Sequence, residues 1–259
     1  MTEERHAFTQ EAAQPEKRFL SPVTTVILTL FIYFAAQVLA ALLVAMYPAS
    51  RGYNDAQTDA WLNTYTAKFW VMLLFGASTI GLLWSILQFK KFSFKKIGLN
   101  KPRLQDIWYA LLGFMAYFAI YIAIAVITKL LFPSINFEQK QEIGFEVTKK
   151  TGELVLVFIS LVVLPPIIEE TLTRGFLYTG LRSKLPTWAA ALVTSILFAM
   201  AHLQFGNGAP LLWVAAIDTF SLSIVLIYLR EKTGGLSAPM FLHGIKNGLA
   251  FLFIFIIGS

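Results

Sequence analysis

Long apolar runs recur along this chain, most of them about twenty residues or more, the length that crosses about 30 Å of hydrocarbon as an α-helix. Seven such runs can be marked: Val23 to Tyr47, Phe69 to Phe89, Ile107 to Phe132, Leu154 to Ile168, Thr187 to Ala201, Pro210 to Leu229, and Leu236 to Ile257. The fourth and fifth are short. Lipid offers nothing to an open backbone, so helices are the expected spanning form. The alternating short segments of a transmembrane barrel are absent from the sequence. The expected fold is therefore all-α, a polytopic transmembrane helix bundle of about seven spans. Composition agrees: of 259 residues 57% are hydrophobic and only 14% charged, against about 25% charged in soluble domains. A soluble enzyme would lack the polar surface to cover these runs.

The net charge is +6 and there is no cysteine. Disulfide scaffolds, thiolate metal sites and cysteine nucleophiles are excluded. The basic residues follow the spans. With the N-terminus inside, 13 Lys and Arg fall on the inner side and six on the outer, with Arg174 and Lys246 inside spans. This favours a cytoplasmic N-terminus and an external C-terminus in an integral, multipass protein of the plasma membrane. The cationic loop from Lys90 to Arg103 fits anionic lipid headgroups better than nucleic acid. The first apolar run is too long for a signal peptide and reads as a retained span. Gly206-Asn207-Gly208-Ala209-Pro210 and Gly234-Gly235 read as turns, and Pro165-Pro166 is expected to kink or unwind the fourth span. No internal repeat is visible. The division expected is a polar cytoplasmic tail at 1–20, three scaffold spans at 21–150, and a functional half at 151–259.

That functional half holds the ionisable residues that lie in or beside spans: Glu169, Glu170, Arg174, His202, Asp218, His243 and Lys246. Such residues are costly in hydrocarbon and usually face the bundle interior. In Glu169-Glu170-Thr171-Leu172-Thr173-Arg174, residues four apart share a helical face, so Glu170 can pair with Arg174. Glu169 then points elsewhere with no local cation, the situation of a carboxylate available as a general base. An ion-pair network that only orients helices would use the same residues. His202 ends the fifth span with Phe198 four residues before it. His243 and Asn247, also four apart, can aim an imidazole and a carboxamide at one acceptor, as an oxyanion site requires. They can equally form an interhelical clamp. Counted at about 1.5 Å per residue from the inner boundaries, Glu169, His202 and His243 lie very roughly 22, 24 and 13 Å deep, a mismatch for a shared site. Asp218 and Lys246 are candidates to pair between spans six and seven.

Together these motifs resemble the CPBP family of intramembrane proteases, which comprises CAAX proteases and bacteriocin-processing enzymes and is also called the Abi family. Its Glu-Glu-x-x-x-Arg motif is similar to Glu169–Arg174, its Phe-x-x-x-His to Phe198–His202, and its His-x-x-x-Asn to His243–Asn247. The Lys-rich stretch ending in Ile97-Gly98-Leu99 is similar too. The resemblance implies an active site within the bilayer. There Glu169 would activate a water with help from His202, while His243 and Asn247 would stabilise the oxyanion of a peptide bond. Glu170, Arg174 and Phe198 would support the site. The implied substrate is a membrane-associated or lipidated (CAAX-type) peptide or protein. The family has been called metalloprotease, and Glu169, His202 and His243 offer three possible zinc ligands. No His-Glu-x-x-His is present, so the reading favours a glutamate-type hydrolase with no obligatory cofactor, zinc being the alternative. The competing function is a non-catalytic multipass membrane protein: a bacteriocin self-immunity factor, scaffold or ion carrier. Convergence of Glu169, His202, His243 and Asn247 on one point would separate the two.

Overall fold

The computed structural model describes residues 19–139, 144–204 and 210–258, most of them helical. Six helices are long and apolar enough to cross a membrane. They are α1 (Pro22–Ser50), α3 (Tyr65–Phe89), α4 (Leu104–Leu131), α5 (Thr151–Arg182), α7 (Trp213–Thr233) and α8 (Ser237–Ile257). The shorter apolar helix α6 (Thr187–Met200) corresponds to the fifth expected span. A small helix, α2 (Asp55–Leu62), joins α1 to α3. Most of the N-terminal tail, including Arg5, Lys17 and Arg18, lies outside the described residues, as do Lys140 and the expected turn at 206–209.

Local chemistry sets the helix ends. Ser21 accepts a hydrogen bond from Thr24 N–H at 3.2 Å, and Pro22 takes the first helical position, where its missing N–H costs nothing. Thr64 caps α3 by accepting from Ala67 N–H at 3.2 Å. Asn54 and Gln57 form a reciprocal capping box on α2. Gly234 closes α7 with φ +69°, a left-handed position that suits a residue without Cβ. The turn expected at Gly234-Gly235 is thus present.

The fourth span departs from expectation. The apolar run ends at Ile168, yet α5 continues through the charged motif to Arg182. Pro165-Pro166 does not break it. Instead the helix widens to π-helical turns at Ile159–Val163 and Thr171–Leu177, on either side of the prolines and Glu169-Glu170. π-turns recur at functional sites because they re-aim side chains while keeping the helix axis.

Helix α5 is central, touched by α1 and α3 on one flank and by α6 and α8 on the other. Ile32, Leu83, Leu87, Leu172 and Phe176 form the α1–α3–α5 core. Leu177, Leu181, Ala190 and Ile227 join α5, α6 and α7. Ala110, Tyr117, Leu222, Leu226 and Leu242 join α4, α7 and α8. Over its most apolar stretch α7 is 56% buried, against 17–28% for the other spans, which marks it as the other interior helix. Large apolar side chains such as Phe34, Trp84, Trp108 and Leu112 face outward. In water such a surface would aggregate, whereas lipid solvates it.

Candidate active site

The second carboxylate of α5 is the centre of the polar interior. Glu170 and Arg174 are both fully buried, and Arg174 Nη1 donates to Glu170 Oε1 at 3.1 Å. This is the four-residue pairing read from the sequence. Glu170 Oε1 also accepts from His243 Nδ1 of α8 at 2.8 Å. A carboxylate accepting from Nδ1–H fixes the imidazole ring and turns Nε2 the other way. Nε2 then lies 4.0 Å from Glu169 Oε2. His243 therefore stands between the two adjacent carboxylates, held by one and facing the other.

Glu169 differs sharply from its neighbour. Its side chain is 31% exposed, while its Oε2 is buried with no protein hydrogen-bond partner. Its backbone carbonyl accepts from Thr173 Oγ1 at 2.5 Å. That hydroxyl also accepts from Arg174 Nη1 at 3.0 Å, so the motif's interior residues brace the turn carrying the carboxylates.

Phe198 of α6 links the remaining pieces. Its ring lies under the Arg174 guanidinium, with Cζ 4.1 Å from the ring centroid, a cation–π contact strengthened by burial. The same ring is 4.8 Å from His202 and 6.3 Å, edge-on, from His243. His202 Nδ1 lies 2.8 Å from the Phe198 carbonyl. Because a carbonyl only accepts, Nδ1 carries the hydrogen there, and Nε2 keeps its lone pair in the neutral ring. Asn247 Nδ2 donates to the Leu161 carbonyl of α5 at 2.9 Å, so one of its two amide hydrogens is already engaged.

The Phe198 ring thus touches Arg174, His202 and His243, and His243 in turn reaches Glu170 and Glu169, with Asn247 one turn further along α8. The depth mismatch counted from the sequence is closed, since His243 and Glu169 are neighbours. Among the described residues no three His, Asp or Glu side chains are placed to hold a metal ion. Asp218 and Lys246 pair as anticipated, at 2.6 Å, with Tyr117 of α4 donating to the other Asp218 oxygen. Lys246 is accordingly directed at α7. The sequence reading missed the Glu170–His243 bond, which joins residues 73 apart and leaves no spacing signal.

Residues 151–249, which hold all three motifs, match the family model described as type II CAAX prenyl endopeptidase Rce1-like. A curated Escherichia coli protein, described as an uncharacterized 24.3 kDa protein, is 35% identical over 107 residues. The alignment covers 40% of this chain and 47% of that protein, so the chain spans about half the length of the curated relative it matches. No solved structure matches the chain. Residues 151–249, with their paired carboxylates, their Phe198–His202 turn and their His243–Asn247 turn, are thus similar to the Rce1-like type II CAAX prenyl endopeptidase family.

Proposed function

We propose that the protein is a CAAX-type intramembrane endopeptidase, working by water activation at Glu169 rather than through an obligatory metal. The observation that carries this reading is the placement of His243 between a fully buried, ion-paired Glu170 and an unpartnered Glu169 oxygen. The similarity of residues 151–249 to the Rce1-like family model supports it. The bilayer is the working medium, and the substrate is a membrane-associated or lipidated peptide or protein. The N-terminus lies on the cytoplasmic side of the plasma membrane. Residues 21–150 act as scaffold and 151–259 carry the chemistry.

In the proposed reaction a water sits against Glu169 and the free Nε2 of His202. Glu169 takes one proton as general base, and the water oxygen bonds to the scissile carbonyl carbon. The carbonyl oxygen becomes an oxyanion. The second amide hydrogen of Asn247 donates to it, as does His243 Nε2 of a ring that carries both protons from the start and keeps them through the cycle. Glu170 stabilises the imidazolium, and Arg174 compensates Glu170. The carbon–nitrogen bond then breaks. The leaving nitrogen receives the proton that Glu169 took from the water, and the acid so formed gives its remaining proton to solvent on release, leaving a carboxylate and an amine. No step runs through a metal.

The test is cleavage of a farnesylated peptide ending in a CAAX sequence by the purified protein in liposomes. Glu169→Gln and His202→Ala should each abolish turnover while leaving insertion and melting close to wild type. Undiminished cleavage by both variants would reject the assignment.

A further inference from the structure

We infer that Pro165 and Pro166 are positioning residues for the active site, because together they create the acceptor that holds Asn247. This inference rests on the endopeptidase reading above. In an α-helix the carbonyl of residue 161 accepts from the N–H of residue 165, and in a π-turn from that of residue 166. Here both residues are proline, and proline has no N–H. The preceding donor, Leu164 N–H, is directed to the Ile159 carbonyl. The Leu161 carbonyl therefore has no helical donor in either register, at a place where lipid supplies none. Asn247 Nδ2 fills that need at 2.9 Å.

Two glycines of α8 face the same stretch of α5, where even a Cβ would make only ordinary van der Waals contact. A Cβ at Gly244 would stand 3.7 Å from the Val162 carbonyl oxygen, and one at Gly248 would stand 3.6 Å from Val162 Cγ1. The two hydrogen bonds make a two-point attachment of α8 to α5. The Glu170 side chain holds His243 on one side of the proline pair, and the Leu161 carbonyl holds Asn247 on the other. With one amide hydrogen fixed, the direction of the second is fixed as well. The prolines thus orient an oxyanion donor without approaching the substrate.

A double-mutant cycle on the full-length protein tests this, with turnover of the farnesylated CAAX peptide and melting temperature as separate readouts. In the Pro165→Ala/Pro166→Ala background the Leu161 carbonyl regains an intrahelical donor. Asn247→Ala alone should lower kcat by about 100-fold with KM changed by less than about threefold. In the double-alanine background the same change should cost less than about threefold further. The melting temperatures should couple in the same sense. Equal losses in both backgrounds would overturn the inference. Coupling in melting but not in kcat would make the contact a strut and overturn the positioning role. Where the double-alanine protein does not fold, the single Pro165→Ala and Pro166→Ala variants decide; coupling in neither overturns the inference. A wild-type protein that cleaves no such peptide would overturn the endopeptidase reading instead, leaving the melting cycle to decide the contact.

Discussion

The Glu170–Arg174–His243 cluster and the Asp218–Lys246–Tyr117 cluster both set opposite charges inside the spans, but they are completed differently. In the second, each Asp218 oxygen has its own partner, Tyr117 for one and Lys246 for the other. The paired side chains remain 21% and 23% exposed. In the first, Glu170 and Arg174 are fully buried, yet Arg174 Nε and Nη2, Glu170 Oε2 and Glu169 Oε2 have no protein partner. A fold that needed only a charge pair to join helices has that form at Asp218–Lys246. The excess of unspent polar capacity around Glu169 is what a site for water and a peptide bond requires.

This contrast can be broken by removing one partner from each cluster. Arg174→Ala leaves Glu170 buried without its cation, and a loss of about 3–5 kcal/mol is expected, read as a large fall in melting temperature together with loss of turnover. A small change in melting would show that Glu170 does not depend on Arg174. Lys246→Ala should cost less, about 1–3 kcal/mol, because the pair is partly exposed and Asp218 keeps Tyr117. The swapped Asp218→Lys/Lys246→Asp variant should recover part of that loss and retain kcat. A swap worse than either single change would place Lys246 in some other role. Phe198→Leu keeps an apolar filler but removes the ring beneath Arg174, and should cost about 1–2 kcal/mol with a reduced kcat. Exhaustive chelation should have the smallest effect, leaving turnover near its starting value with no zinc by elemental analysis. Stoichiometric zinc required for turnover would contradict the glutamate-type mechanism.

Much of this was legible in the sequence because membrane proteins obey strict local rules. Apolar run length gave the spans, and four-residue spacing gave Glu170–Arg174. The scarcity of charge in the bilayer made Asp218 and Lys246 natural partners. What was not legible depends on contacts between helices or on backbone. The Glu170–His243 bond joins two spans with no shared spacing. Phe198 was marked as a supporting residue, but its place beneath the Arg174 guanidinium needed the ring to be seen. Pro165-Pro166 signalled a kink or unwinding by the usual rule, yet the helix runs on through them between two π-turns, and the orphaned Leu161 carbonyl became a docking point. The end of α5 was misjudged because hydrophobicity stops at Ile168 while the helix continues on interior ion pairs.

The most direct test of the account compares two adjacent carboxylates by one isosteric change each. Turnover and melting temperature would be measured for Glu169→Gln and Glu170→Gln in the same liposomes. Glu169→Gln should lose at least about 1,000-fold in kcat and melt like the wild type, because its carboxylate does chemistry and holds nothing. Glu170→Gln should melt markedly lower and keep a measurable fraction of turnover, because it holds Arg174 and His243 without touching the substrate. The reverse pattern, with Glu169→Gln active and Glu170→Gln stable but inert, would contradict the assignment of the two roles.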